Sequence, residues 1–130
     1  MEQAKLISMA LEARQKAYAP YSRYLVGAAL LTASGRVYTG CNVENASFGL
    51  TVCAERVAVF KAVSEGELDF ALIVVATKNG ATPCGACRQV LMEFSPNVEV
   101  IAVDAEGQVH HHCRLSDLLP EGFTCKNLPR

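Results

Sequence analysis

Four reactive side chains, split between two distant segments, constrain this chain more than any other feature. Cys53-Ala54-Glu55 carries one thiol and a carboxylate, and Pro83-Cys84-Gly85-Ala86-Cys87 carries two further thiols. Three thiolates suit a tetrahedral Zn2+ ion, with Cys53, Cys84 and Cys87 as ligands and the fourth position left for water. Structural zinc sites close that position with a fourth protein ligand, so a three-ligand site is a reactive one. Any fold for this chain must bring the two segments together and hold Glu55 beside the metal as a proton carrier. Both segments open stretches of helical pattern, where unpaired backbone N–H groups and the positive end of the helix dipole stabilise thiolates. Zinc with three thiolates keeps a net negative charge, which opposes ionisation of its water. The two helix starts offset part of that charge. Arg56 is expected to donate hydrogen bonds to ligand sulfurs, tuning the metal without touching substrate.

The rest of the pattern supplies the frame. Apolar residues Ala4, Ile7, Ala10, Leu11 and Ala17 recur at helical spacing until Pro20, which predicts a first helix from Glu2 to about Ala17. Tyr24 to Ala33 and Val37 to Val43 read as antiparallel strands joined by a turn at Ser34-Gly35. A helix is expected from Cys53 to Ser64, and a strand buried on both faces over Phe70 to Thr77. A helix from Cys84 to about Phe94, strands over Val98 to Val103 and Val109 to Cys113, and a short helix after Ser116 complete the order. The order α-β-β-α-β-α-β-β predicts an α/β fold, a five-stranded mixed sheet between two helical layers.

At 130 residues, with no repeat, linker or low-complexity tract, the chain reads as one domain spanning residues 1–130. Its net charge is −1 and it has no run of Lys or Arg, so the electrostatic footprint of a nucleic-acid or membrane-surface binder is missing. A small-molecule partner is expected instead. Only 19% of residues are charged, below the typical quarter or so, which leaves apolar surface for subunit contacts. Glu2, Lys5, Glu12, Arg14 and Lys16 interrupt the first apolar pattern, so it does not read as an export signal. Six cysteines without such a signal point to metal binding or free thiols in a reduced, cytoplasmic protein.

Other readings of the same residues stay open at this point. Cys84-Gly85-Ala86-Cys87 alone resembles a redox pair. A structural zinc site would need a fourth ligand from Cys41, Cys113, Cys125 or His110, His111 and His112, none of which stands at finger-like spacing. Cys41, Cys113 and Cys125 are expected to act as small buried hydrophobes. Alternation in the last strand places His110 and His112 on one face and His111 on the other, as surface or interface polarity. Asn42 and Glu44, two residues apart at a strand end, face the same way and suit a diol, although a solvated strand end has the same composition.

Taken together, these segments resemble a family, the small single-domain cytidine deaminases. The resemblance runs through Tyr18-Ala19-Pro20-Tyr21-Ser22, Val26-Gly27-Ala28-Ala29-Leu30, Gly40-Cys41-Asn42-Val43-Glu44-Asn45-Ala46, Cys53-Ala54-Glu55-Arg56 and Pro83-Cys84-Gly85-Ala86-Cys87-Arg88-Gln89, in family order. It implies hydrolysis of cytidine and deoxycytidine to uridine and deoxyuridine, with water activated at zinc attacking C4 and Glu55 shuttling protons. It also implies that Asn42 and Glu44 bind the sugar, that Tyr24 lies against the base, and that Ala54 joins the substrate contacts. By the same resemblance the protein is a homotetramer, in which Ala46, Phe48 and Phe123 reach the site of a neighbouring subunit. Phe48 stands where several relatives have Tyr, which keeps a stacking surface and removes a hydroxyl.

Overall fold

The computed structural model describes residues 1–129. Its main elements are α1 (Gln3–Arg14), β1 (Gly27–Thr32), β2 (Val37–Cys41), α2 (Ala54–Ser64), β3 (Phe70–Ala76), α3 (Gly85–Phe94), β4 (Glu99–Val103), β5 (Val109–Arg114) and α4 (Leu115–Leu118). Short 3-10 turns lie at Phe48–Leu50 and Cys125–Asn127.

The five strands form one sheet in the order β2-β1-β3-β4-β5. β3 and β4 are parallel, with Leu72 opposite Glu99 and Ala76 opposite Val103, and the other neighbours are antiparallel. A parallel pair needs a crossover, and α3 supplies it. β3 lies at the centre of the sheet, which accounts for its unbroken apolar run. Its side chains alternate between layers: Ile73 and Val75 pack beneath α2 and α3, whereas Val74 and Ala76 join the cluster under α1. β1 divides likewise, with Ala28 and Leu30 on the first side and Ala29 on the second.

Two bounds expected from sequence are corrected. α1 ends at Arg14, short of Ala17, and buries Leu6, Ala10 and Ala13, while Ala4 is exposed and Ile7, Leu11 and Ala17 are only half-buried. A Cβ on Gly27 would collide with the backbone of Ala10 and Arg14, so α1 sits directly on that strand along its smallest side chains. β1 itself starts at Gly27 and not at Tyr24. The β1–β2 ladder closes at Gly27 and Cys41, and beyond it the Asn42 side chain holds Tyr24 and Val26.

Gly40 has the matching role on the other face. A Cβ there would collide with the Ala54 carbonyl and the Ala58 nitrogen, so the first turn of α2 lies flush against β2. Both α2 and α3 begin beyond the ends of the strands that precede them. Open α/β sheets hold their ligands there, at strand carboxyl ends and helix N-termini.

Candidate active site

Cys53 is the N-cap of α2 and Cys84 the N-cap of α3, both with extended backbone, and neither thiol is spent capping its own helix. Cys87 is buried in the first turn of α3. Cys53 Sγ lies 4.0 Å from Cys84 Sγ, Cys84 Sγ lies 3.5 Å from Cys87 Sγ, and all three sulfurs are within 4.8 Å of one another. Sulfurs bound at about 2.3 Å to a tetrahedral zinc stand about 3.8 Å apart, so the three thiols match the spacing of a zinc donor set. Among the described residues no His, Asp, Glu or further Cys joins this group, so the proposed fourth ligands stay apart from it.

The electrostatics agree with that donor set. Arg56 Nη2 donates to Cys53 Sγ at 3.4 Å and to the Thr51 carbonyl at 3.4 Å. Its Nε is buried with no hydrogen-bond partner, so cationic donor capacity remains beside the sulfurs. A hydrogen bond from the Cys87 thiol, with Arg56 alongside, brings the Cys53 thiol down to about 5. Cys87 gives that bond and is pushed up, so the pair loses its first proton from Cys53. Glu55 is 4% exposed, and burial raises its carboxyl to about 7 in the metal-free protein.

Cys53, Cys84 and Glu55 line a cavity of about 300 Å³ whose walls also include Asn42, Glu44 and Tyr24. Among the described residues no Lys, Arg or His lines it. Asn42 is buried, and its side chain already works at the wall: Oδ1 accepts from Val26 N at 2.9 Å and Nδ2 donates to Tyr24 O at 2.8 Å. One amide hydrogen and one lone pair remain. Glu44 Oε1 accepts from the Tyr21 and Ser22 nitrogens at 3.0 and 3.1 Å, and Oε2 accepts from the Ser22 hydroxyl. These bonds, the Ser22 hydroxyl foremost, hold the Glu44 carboxyl below its ordinary value. Asn42 and Glu44 thus brace the 21–26 segment as well as facing the cavity.

Ala54, Ala46, Phe48 and Phe123 are not among the walls of this cavity. Ala54 is buried beneath β2, beside Gly40. Phe48 is 74% exposed and meets Tyr21 edge-on at 5.8 Å, while Phe123 is 55% exposed and its carbonyl accepts from Gln89 at 2.9 Å.

The profile described as "Cytidine and deoxycytidylate deaminase zinc-binding region" matches residues 1–103. The chain belongs to the cytidine deaminase family. It is 48% identical over 131 aligned positions to the cytidine deaminase of Halalkalibacterium halodurans, covering 98% of each chain. It is 46% identical to that of Sporosarcina psychrophila, covering 98% of this chain and 96% of the relative. Among solved structures it resembles the cytidine deaminase of Burkholderia pseudomallei, with a TM-score of 0.90, 48% identity, and 95% of this chain and 100% of that one covered. Membership in this zinc-binding family agrees with the three-thiol cluster and with the five-stranded mixed sheet.

Within this cytidine deaminase fold, sequence reasoning missed the part played by the turn after β3. Thr77, Ala81 and Thr82 line the cavity, and the Tyr24 hydroxyl donates to Asn79 at 2.6 Å. The Pro83 motif marked where this turn ends, but no periodicity marks a polar turn residue such as Asn79.

Proposed function

We propose that this chain hydrolyses cytidine and deoxycytidine to uridine and deoxyuridine with release of ammonia, using zinc held by Cys53, Cys84 and Cys87 and protons carried by Glu55. The observation that carries this reading is a buried carboxyl beside three clustered thiols, at a cavity also walled by Asn42 and Glu44 and, among the described residues, by no cation. When bound, zinc supplies a Lewis-acidic position that lowers the pKa of water toward neutrality.

Glu55 takes the proton released as water adds to C4 of the base. Its carboxylic acid then protonates N3; on collapse the regenerated carboxylate takes the proton of the new C4 hydroxyl as the C4 carbonyl forms and passes it to the departing amine, which leaves as ammonia. A buried carboxyl is suited to both directions of transfer, because burial brings its affinity for protons close to that of its partners. Asn42 and Glu44 present the donor and acceptors for the sugar hydroxyls, and the Tyr24 ring forms a wall for the base. We place Arg56 as a counter-charge to the ligand sulfurs and not as a substrate contact, on its bond to Cys53.

Glu44 and the missing cations also support a choice among substrates. A phosphate brought beside Glu44 would find repulsion and no counter-charge, so nucleosides are preferred over nucleotides and polynucleotides. The reading includes one catalytic domain over residues 1–130, a homotetramer in which Ala46, Phe48 and Phe123 complete neighbouring sites, and residence in the cytoplasm, where thiol ligands stay reduced. The exposure of Phe48 and Phe123 supports the shared sites. No helix among the described residues is long and apolar enough to cross a membrane.

A panel of cytidine, deoxycytidine, cytidine monophosphate, single-stranded DNA and cytosine-nucleoside analogues tests the substrate. Both nucleosides should be deaminated, and the phosphorylated substrates should fall by roughly 10²-fold or more in kcat/KM. Comparable turnover of the monophosphate would overturn the nucleoside reading, and turnover of an analogue alone would move the substrate within the family.

A further inference from the structure

The β1–β3 ladder ends at Gly27 and Ala76, and past that pair both flanking segments line the cavity, through Tyr24 and Val26 before β1 and through Thr77, Ala81 and Thr82 after β3. Tyr24 and Asn79 each stand three residues beyond the last pair, and there the walls are rejoined by a side-chain bond, Tyr24 Oη to Asn79 Oδ1 at 2.6 Å.

Both partners are braced from behind. The Tyr24 carbonyl is held by Asn42 Nδ2, and the Tyr24 nitrogen donates to Ser22 Oγ at 3.0 Å. The tyrosine is therefore fixed at its backbone and at its tip, with the ring between. On the other wall, Thr77 Oγ1 accepts from the Gly80 and Ala81 nitrogens at 2.8 and 3.0 Å, and Asn79 bridges to Asp104. The His110 ring packs over Gly80 with its Nε2 2.9 Å from Asp104 Oδ2. The turn that presents Asn79 runs on through Ala81 and Thr82, which line the cavity, to the metal-ligand segment at Cys84.

We propose that the Tyr24–Asn79 pair is a latch that sets the width of the substrate cavity and freezes the Tyr24 ring as a wall before substrate arrives. Asn79 is thus a positioning residue, acting through Tyr24. The proposal rests on the reading above that this cavity takes the nucleoside.

A side chain already immobilised loses no rotamer freedom when a ligand packs on it, so the latch lowers the cost of binding. The Tyr24 hydroxyl is committed to Asn79 and carries none of the proton transfers assigned to Glu55. Losing it removes binding that ground state and transition state share, which raises KM and spares kcat.

The test uses zinc-loaded wild type, Tyr24→Phe, Asn79→Ala, Asn79→Asp and the double variant Tyr24→Phe/Asn79→Ala. Tyr24→Phe and Asn79→Ala should each raise KM for cytidine about three- to tenfold with kcat held within about twofold, by the cost of ordering one side chain. The double variant should be no worse than either single one, because both remove the same bond. Asn79→Asp keeps the acceptor and should restore a wild-type KM. A wild-type KM in Tyr24→Phe, or single effects that multiply in the double variant, would overturn the latch.

Hydrogen exchange over residues 77–83 separates this proposal from the function it rests on. If the wild type does not turn over cytidine, the function falls, and the latch still predicts faster exchange in Tyr24→Phe and Asn79→Ala but not in Asn79→Asp. Identical exchange in all variants would refute it.

Discussion

Glu55 concentrates the energetics of the site in one side chain. In the metal-free protein burial raises its carboxyl from 4.5 to about 7. Between those values the folded state holds a proton that the unfolded state has released, so stability falls as pH rises through this window. Above it the penalty is complete, at about 3 kcal/mol. Glu55→Gln removes the ionisation, so the metal-free variant should exceed metal-free wild type by about that amount at pH 8 and differ little near pH 5. Urea denaturation at the two pH values checks this, and equal stability at pH 8 would show that burial does not load the carboxyl. At this scale the sequence was informative where chemistry fixes spacing: Cys53, Cys84 and Cys87 could be picked out as a candidate metal set, with Glu55 as its proposed proton carrier, and the fold brings the three sulfurs within 4.8 Å of one another. Asn42 and Glu44 were legible as a polar pair. Their bonds to the 21–26 segment were not, because nothing in a sequence says which backbone groups a strand ladder leaves unpaired.

The elements that carry these residues are placed by small side chains as much as by large ones. α2 lies close enough to β2 that only a glycine fits at position 40, and that contact sets where Cys53 and Glu55 stand. Gly40→Ala should cost about 1–3 kcal/mol, as overpacking of a close contact does, and should also weaken zinc binding by shifting the first turn of α2. Thermal denaturation and a chelator competition measure the two effects. Unchanged stability would mean that the helix is free to move away. Helix and strand identity was readable from periodicity, including the buried run of β3. The seating of α1 was not, since its close approach at Ala10 and Arg14 depends on the bare backbone of Gly27. The start of β1 was also misjudged, because Tyr24-Leu25-Val26 has strand composition while its partner at that level is a side chain.

Across the molecule, the element order identified a mixed sheet between helical layers, whereas the sequence of neighbours β2-β1-β3-β4-β5 emerges only from packing. Cys125 is exposed, against the expectation of a buried hydrophobe, and His110 serves as a cover for Gly80 beside Asp104. Phe48, Leu50 and Phe123 leave large apolar area on the surface of one chain. If neighbouring subunits cover it, a native mass measurement should find four chains with four zinc ions, and Phe48→Asp should dissociate the assembly. A monomer with one zinc and full activity would show that each site is complete alone. The account as a whole stands on proton transfer by Glu55 at a zinc centre. Its most direct test is ammonia release from cytidine by the zinc-loaded protein beside Glu55→Ala of matched metal content. The wild type should release ammonia steadily and the variant should lose nearly all of that release; release that survives in the variant, or a silent wild type carrying one zinc per chain, would contradict proton transfer by Glu55 at this centre.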